Sequence, residues 1–326
     1  MAMEIRTLNR SDNDTWDKFV KRSPYGSFFY CSQWLEIAGE VFGNEVAVYA
    51  CFDDDELICG CPVSIRKKGF FTMARRPFAT PYAGIILKGG DDDVELRALA
   101  EMICFLSSHF NYTKLVHTPS FRNMQAFRDY GWSIGQKYTY IIDLDDEESI
   151  WNRFECDLRN VIRKARRNGI SVRECWDADP FYELYKDTFE NRGISITITR
   201  DTIGRLCEYL KSGGIGRLFT AETSNGEVGA AAIVTWDETS AYYTLSASHP
   251  ILRTSGAPSL LLWEIIREMS RRFRTFDLVG ANIPSIAQFK KQFNPRLVGY
   301  HTSEEYSPRI CKMLYRLYSH LPGGSR

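Results

Sequence analysis

The 326-residue chain has no apolar run approaching the ~18 residues that span a bilayer. Its opening, Met-Ala-Met-Glu-Ile-Arg, lacks the charged-then-apolar pattern of a secretion signal. It also lacks charge of either sign in excess. Lys plus Arg and Asp plus Glu number 41 each, which excludes a nucleic-acid coat over the whole surface and a DNA partner, and leaves room for a local basic groove. The nine cysteines are scattered. Only Cys59 and Cys61 lie close, and C-x-C without a second pair is no zinc knuckle. An odd count without a signal predicts a reducing, cytoplasmic setting with cysteines as small buried hydrophobes. There is no Ser-His-Asp motif, P-loop, dinucleotide fingerprint or pair of histidines at metal-ligand spacing, so no metal and no tightly bound cofactor is expected.

What is present is an ordinary globular composition, 44% hydrophobic and 25% charged, with a length of about two domains. Periodicity predicts helices at 15–21, 32–41, 91–110 and 124–130, and strands at 45–52, 57–65, 85–87, 114–117 and 138–144. The acidic run 143–148 marks a boundary, giving domains at 1–145 and 146–302. Ser149 is placed to cap a helix over 150–168. Beyond it a similar order follows: strand 170–174, helices 180–191 and 201–211, strands 216–221, 229–236 and 241–246, helix 259–273 and strand 276–279. The fold class is α/β (α+β), with two similar halves, though no residue-level repeat is visible. A tail, 303–326, contains a short basic amphipathic helix at 310–318.

Five stretches carry candidate chemistry. In Leu158–Gly169 five cations crowd a helix, including Arg163 and Lys164, with Leu158, Ile162 and Ala165 on the opposite face. Basic residues in a last turn complement the helix dipole, and they equally suit an anionic ligand such as the phosphates of CoA or of a tRNA acceptor stem. Arg253-Thr-Ser255-Gly256-Ala257-Pro258 stands between a strand and a helix, where backbone N–H groups can hold a pyrophosphate. Pro258 has no N–H and suits the first turn of a helix. The small-residue strand at 229–235 precedes Tyr242 and Tyr243, which point to opposite faces. Either core packing or a ligand cleft explains them. Arg192, in Asn-Arg-Gly, is able to clamp a phosphate or carboxylate. Finally, Phe276-Asp-Leu-Val-Gly-Ala-Asn282 runs into Phe289-Lys290-Lys-Gln-Phe293. Phe289 and Phe293 share a helical face beside Lys290, and by spacing alone this is an ordinary amphipathic helix start.

Taken in order, Ile162-Arg-Lys-Ala, Thr188-x-x-x-Arg-Gly193, Gly229-Ala-Ala-Ala, Ser255-Gly-Ala with Leu260-Leu-Leu-Trp263, Val279-Gly-Ala-Asn282 and Phe289-Lys-x-x-Phe293 resemble the Fem-like (FemA, FemB, FemX) aminoacyl transferases. They equally resemble the FemAB-related and CelD-like GNAT acyltransferases. The resemblance covers most of 150–295. In the first half it rests on Ser32-Gln-Trp34 and Thr80-Pro-Tyr-Ala-Gly84 alone.

It implies two tandem GNAT-like (acyl-CoA N-acyltransferase) domains with a cleft between them, the tail packing back on the first. It implies an acyltransferase acting in cell-wall (peptidoglycan) or related envelope biogenesis. An aminoacyl-tRNA or acyl-CoA would be the co-substrate, and an envelope-peptide precursor or small amine the acceptor. Lys290, with Phe289, would stand at the catalytic centre and support the oxyanion. Arg192, Tyr243, Asn282 and Phe293 would face the substrate. Arg253, Ser255, Gly256, Ala257, Arg163 and Lys164 would face the donor.

Three departures stand out: Asn294 in place of a glycine, Ile37-Ala-Gly39 where an early-helix lysine is expected, and Leu87-Lys88 where an acidic residue is expected. The last two speak against a UDP-linked muramyl-peptide acceptor. A catalytically inactive binding module for envelope or exopolysaccharide systems is the reading of a different class. The basic–aromatic stretch 67–76 is read as a solvated hairpin tip, with contact to a membrane surface or a polymer as the functional alternative.

Overall fold

The computed structural model describes residues 3–43, 45–90, 93–190, 198–249 and 252–308, apart from the side chains of Phe189, Leu252 and Arg253. They form two compact units, 3–137 with 299–308, and 138–298. The boundary expected at 145/146 falls in the turn after a strand that ends at Asp143. The expected helix at 310–318 lies outside the described residues.

In the first unit the order is β1 (Glu4–Thr7), α1 (Asn13–Arg22), α2 (Ser32–Glu40), β2 (Glu45–Asp53), β3 (Glu56–Lys68), β4 (Phe71–Arg75), β5 (Ile86–Leu87), α3 (Asp93–His109), β6 (Tyr112–Val116) and α4 (Met124–Asp129). Strands β2, β3 and β4 form an antiparallel meander. The chain then crosses through α3 and returns as β6, parallel to β4. Ala98, Leu99, Met102, Ile103 and Leu106 of α3 recur at helical spacing. They join one core with Cys51, Cys59, Cys61 and Val63, so these cysteines are packing residues. The stretch 67–76 is the expected hairpin tip, Lys68 pairing with Phe71. His117 is fully buried, its Nε2 2.9 Å from the Ser303 hydroxyl, and burial pushes its pKa down to about 3.

Strand β7 (Ser133–Asp143) runs from the first unit into the second, which continues with α5 (Glu147–Arg153), α6 (Cys156–Arg167), β8 (Ser171–Glu174), α7 (Asp179–Glu190), α8 (Arg200–Gly213), β9 (Gly216–Glu222), β10 (Val228–Trp236), β11 (Ser240–Ser248), α9 (Ala257–Met269), β12 (Thr275–Asp277) and α10 (Pro284–Lys291), and β13 (Arg296–Tyr306) leads back into the first. The plan repeats. Strands β9, β10 and β11 form an antiparallel meander, α9 crosses, and β12 lies parallel to β11. In each unit the last sheet position is filled from elsewhere in the chain. Residues 141–143 of β7 pair with β12, and residues 302–306 of β13 pair with β6.

The single helix expected over 150–168 is two helices. Phe154 and Glu155 adopt extended ψ values of 149° and 143°. The Glu155 N–H donates to the Gln292 carbonyl at 3.0 Å, a tertiary bond that fixes the break. The cap is Asp146 rather than Ser149. Its carboxylate accepts the Ser149 N–H at 2.9 Å.

Candidate active site

Strand β12, Thr-Phe-Asp, ends at its one charge, Asp277, and the chain there makes an unusual turn. The Asp277 carboxylate accepts the Thr139 hydroxyl at 2.6 Å and the Val279 N–H at 2.8 Å. Thr139 Oγ1 in turn accepts the Gly280 N–H at 3.0 Å. Held this way, Val279 and Gly280 both take left-handed backbone, with φ of 54° and 83°. Gly280 does so freely, whereas β-branched Val279 is strained there, a conformation that persists only when its surroundings dictate it.

The turn aims three consecutive carbonyls at one point, and Lys290 occupies it. Its Nζ donates to the carbonyls of Leu278, Val279 and Gly280 at 2.5, 2.9 and 3.1 Å. An ammonium has three N–H donors, so all are committed. The side chain is 5% exposed. Burial pushes the Lys290 pKa down to about 8, and the Asp277 carboxylate acts in the opposite direction. The charge Lys290 brings to this point is therefore delivered through the 278–280 backbone rather than by a free N–H.

The neighbouring residues divide between this turn and the core. The Asn282 amide bonds the Tyr138 backbone twice, accepting its N–H and donating to its carbonyl, both at 3.0 Å. Phe293 is 1% exposed, edge-on to Phe154 at 5.1 Å and to half-buried Phe289 at 5.6 Å. Trp263 meets Phe154 and Trp151, completing an aromatic cluster. Asn294 has φ of 50°. That left-handed position is one asparagine tolerates nearly as glycine does, which accounts for the replacement.

The donor-side residues meet at the start of α9. Gly256 is its N-cap at φ 85°. A Cβ there would stand 3.0 Å from Val161 and 3.1 Å from Ala165, so this glycine lets α6 and α9 close on each other. The Ala257 N–H donates to Ser255 Oγ at 3.3 Å, and Pro258 has no N–H. Arg253 lies in the turn Leu252–Ser255, with its side chain outside the described set.

On α6, Leu158, Ile162 and Ala165 face the core as expected. Arg163 lies over Trp151 at 5.5 Å, and Arg166 pairs with Glu264 at 2.5 Å. Lys164 and Arg167 are exposed, with no ion pair to the described residues.

One site residue does not join these clusters. Tyr243 is 7% exposed and packs edge-on against Phe276 inside the core. Helices α9 and α7 cover the two faces of the sheet here, and burial pushes its pKa up to about 12. Arg192 lies outside the described residues. Sequence reasoning missed Asp277 and Thr139, which shape the turn that receives Lys290.

Comparison with known proteins agrees with this architecture. Residues 152–291 match the acetyltransferase (GNAT) domain family. The crystal structure of FemX superposes with a TM-score of 0.70 at 15% identity, covering 96% of this chain and 99% of that one. The C-terminal domain of a putative lysylphosphatidylglycerol synthetase from Agrobacterium fabrum gives 0.60 at 13%, covering 98% and 99%. A tandem GNAT protein from the clavulanic acid biosynthesis pathway gives 0.56 at 12%, covering 93% and 98%. Comparison with curated protein sequences gives no significant match. The chain has the fold of these structures, and residues 152–291, within its second unit, match the acetyltransferase (GNAT) domain.

Proposed function

We propose that the chain is an N-acyltransferase of the Fem-like type, moving an aminoacyl group from aminoacyl-tRNA to an amine such as that of a cell-envelope peptide precursor. In the transfer, the acceptor nitrogen attacks the ester carbonyl. A C–N bond forms, the C–O bond to the ribose breaks, and the amine proton ends on the departing ribose oxygen. Negative charge builds on the carbonyl oxygen meanwhile. Lys290 supports it as a fixed positive charge behind the 278–280 turn. The same residue holds that turn in shape, so it acts as a positioning residue as well as a charge.

The observation that carries the choice of donor is the first turn of α9. A pyrophosphate needs free N–H groups there. The Ala257 N–H is already on Ser255, and Pro258 has none to give. On neighbouring α6, by contrast, Lys164 and Arg167 are uncommitted cations suited to the phosphates of an RNA stem. The acyl-CoA reading rests on the left-handed Gly256 cap and on rotation of Ser255 away from Ala257.

A thermal-shift comparison separates the readings, since a ligand that binds the native state raises its melting temperature. Stabilisation by an aminoacylated acceptor-stem minihelix and not by acetyl-CoA or a long-chain acyl-CoA is expected. Stabilisation by acyl-CoA alone would replace the donor assignment, and a shift with neither would leave a binding module.

A further inference from the structure

Strand β3 changes character abruptly along its length. Residues 57–65 are buried, and the next three, Arg66, Lys67 and Lys68, are all exposed. The change falls where the neighbouring strands stop. Strand β2 begins opposite Ile65, and β6 pairs with β4 only from Met73 onward. Among the described strands, the β3–β4 ribbon therefore runs on past its neighbours as a finger of two strands. It turns at left-handed Gly69 (φ 58°) and carries Phe70 at its apex, 90% exposed. Between Leu57 and Gly90 the chain has six cations, Arg66, Lys67, Lys68, Arg75, Arg76 and Lys88, and no carboxylate. Alternation along β3 sets Arg66 and Lys68 on one face of the ribbon and Lys67 on the other.

A phenylalanine held in water at a hairpin tip leaves its ring hydrated at a free-energy cost that an apolar medium would relieve. The cations behind it stand on both sides of the ribbon, at the depth of a headgroup layer when the tip enters a bilayer. A nucleic-acid surface would call for cations along one face and an aromatic platform on which bases stack. Phe70 has no ring partner among the described residues.

We propose that this hairpin tip docks the protein on an anionic lipid surface, with Phe70 entering the interface and Arg66, Lys67 and Lys68 meeting the headgroups. The reading is independent of the donor and of the transfer chemistry.

The test is co-sedimentation of the full chain with phosphatidylcholine vesicles, with and without phosphatidylglycerol. Association only with the anionic vesicles, weakening as salt rises, is expected. Phe70→Ser weakens it about tenfold, and Arg66→Glu with Lys67→Glu abolishes it, each at unchanged melting temperature. Phe70→Trp, added to the seven native tryptophans, gives a blue-shifted emission increment on anionic vesicles alone. The proposal is overturned if the native chain ignores both vesicle types or if the variants bind as well as the native chain. It is overturned too if the variants lose tRNA binding while no form binds vesicles, which would assign the finger to RNA.

Discussion

Replacing Lys290 by alanine is the obvious probe of catalysis in this protein, and its first effect is on folding. The substitution removes a buried ammonium and strips three backbone carbonyls of their donor at once. It also leaves a gap the length of a lysine stem at a site only 5% exposed in the native protein. A single buried acceptor left unsatisfied costs about 1–3 kcal/mol, and water entering the gap recovers part of that. The left-handed strain at Val279 also loses the contact that holds it. A net loss of about 3–5 kcal/mol follows, similar to breaking a buried charged set by deleting one partner. For a cooperative unit of this size that is a fall in melting temperature of about 6–20 °C. Differential scanning calorimetry measures it directly. Lys290→Met, which keeps the stem and removes the donors, separates packing from hydrogen bonding. A Lys290→Ala protein that melts within about 2 °C of the native one would refute the clamp. Loss of transfer in that protein would then be evidence for a purely chemical role.

Other outcomes follow from the same structure. His117 has its folded pKa depressed to about 3 from an ordinary 6.5, so its contribution is complete above that ordinary value. It is lost as pH falls from there toward 3, and linkage gives about 2 kcal/mol lost at pH 5 relative to pH 7.5. Urea melts across that range will show the loss, and His117→Gln will flatten it. Gly256→Ala puts a methyl group 3.0 Å from Val161 at a φ of 85°, and about 1–3 kcal/mol of stability goes with it, read by denaturant titration. If the donor is aminoacyl-tRNA, Lys164→Gln with Arg167→Gln lowers the salt slope of tRNA binding by about 2, read by filter binding. Asp277→Asn removes the carboxylate that opposes the burial of the Lys290 charge, so any titration of Lys290 in the pH–rate profile moves further down from about 8.

The regular elements were legible because each depends on local pattern. The β2–β3 hairpin, the amphipathic faces of α3 and α6 and the meander of the second half all followed from spacing. What was not legible depends on partners far away in the chain. The helix break at Phe154 is set by a bond from Glu155 to Gln292. The environment of Lys290 is made of carbonyls, which leave no mark in a sequence, positioned by a hydroxyl at Thr139 on a distant strand. Tyr243 looked available because alternation assigns a side but cannot say that helices cover both sides. Helical spacing groups Phe289, Lys290 and Phe293 together, and the fold gives them separate tasks: two rings in an aromatic core and one clamp on a turn.

The sheet of the first unit also bears on the order in which the protein is made. Its β6 edge is completed only by residues 302–306, synthesised some 190 positions after the partner residues 112–116. On the ribosome, every element of the second unit is complete before that strand emerges. The first half must therefore wait with an open strand edge through most of translation, the period in which pairing with another nascent chain is the chief hazard. A circular permutant opened between the units, with 299–308 leading into residue 3, would make the missing strand first and shorten that exposure.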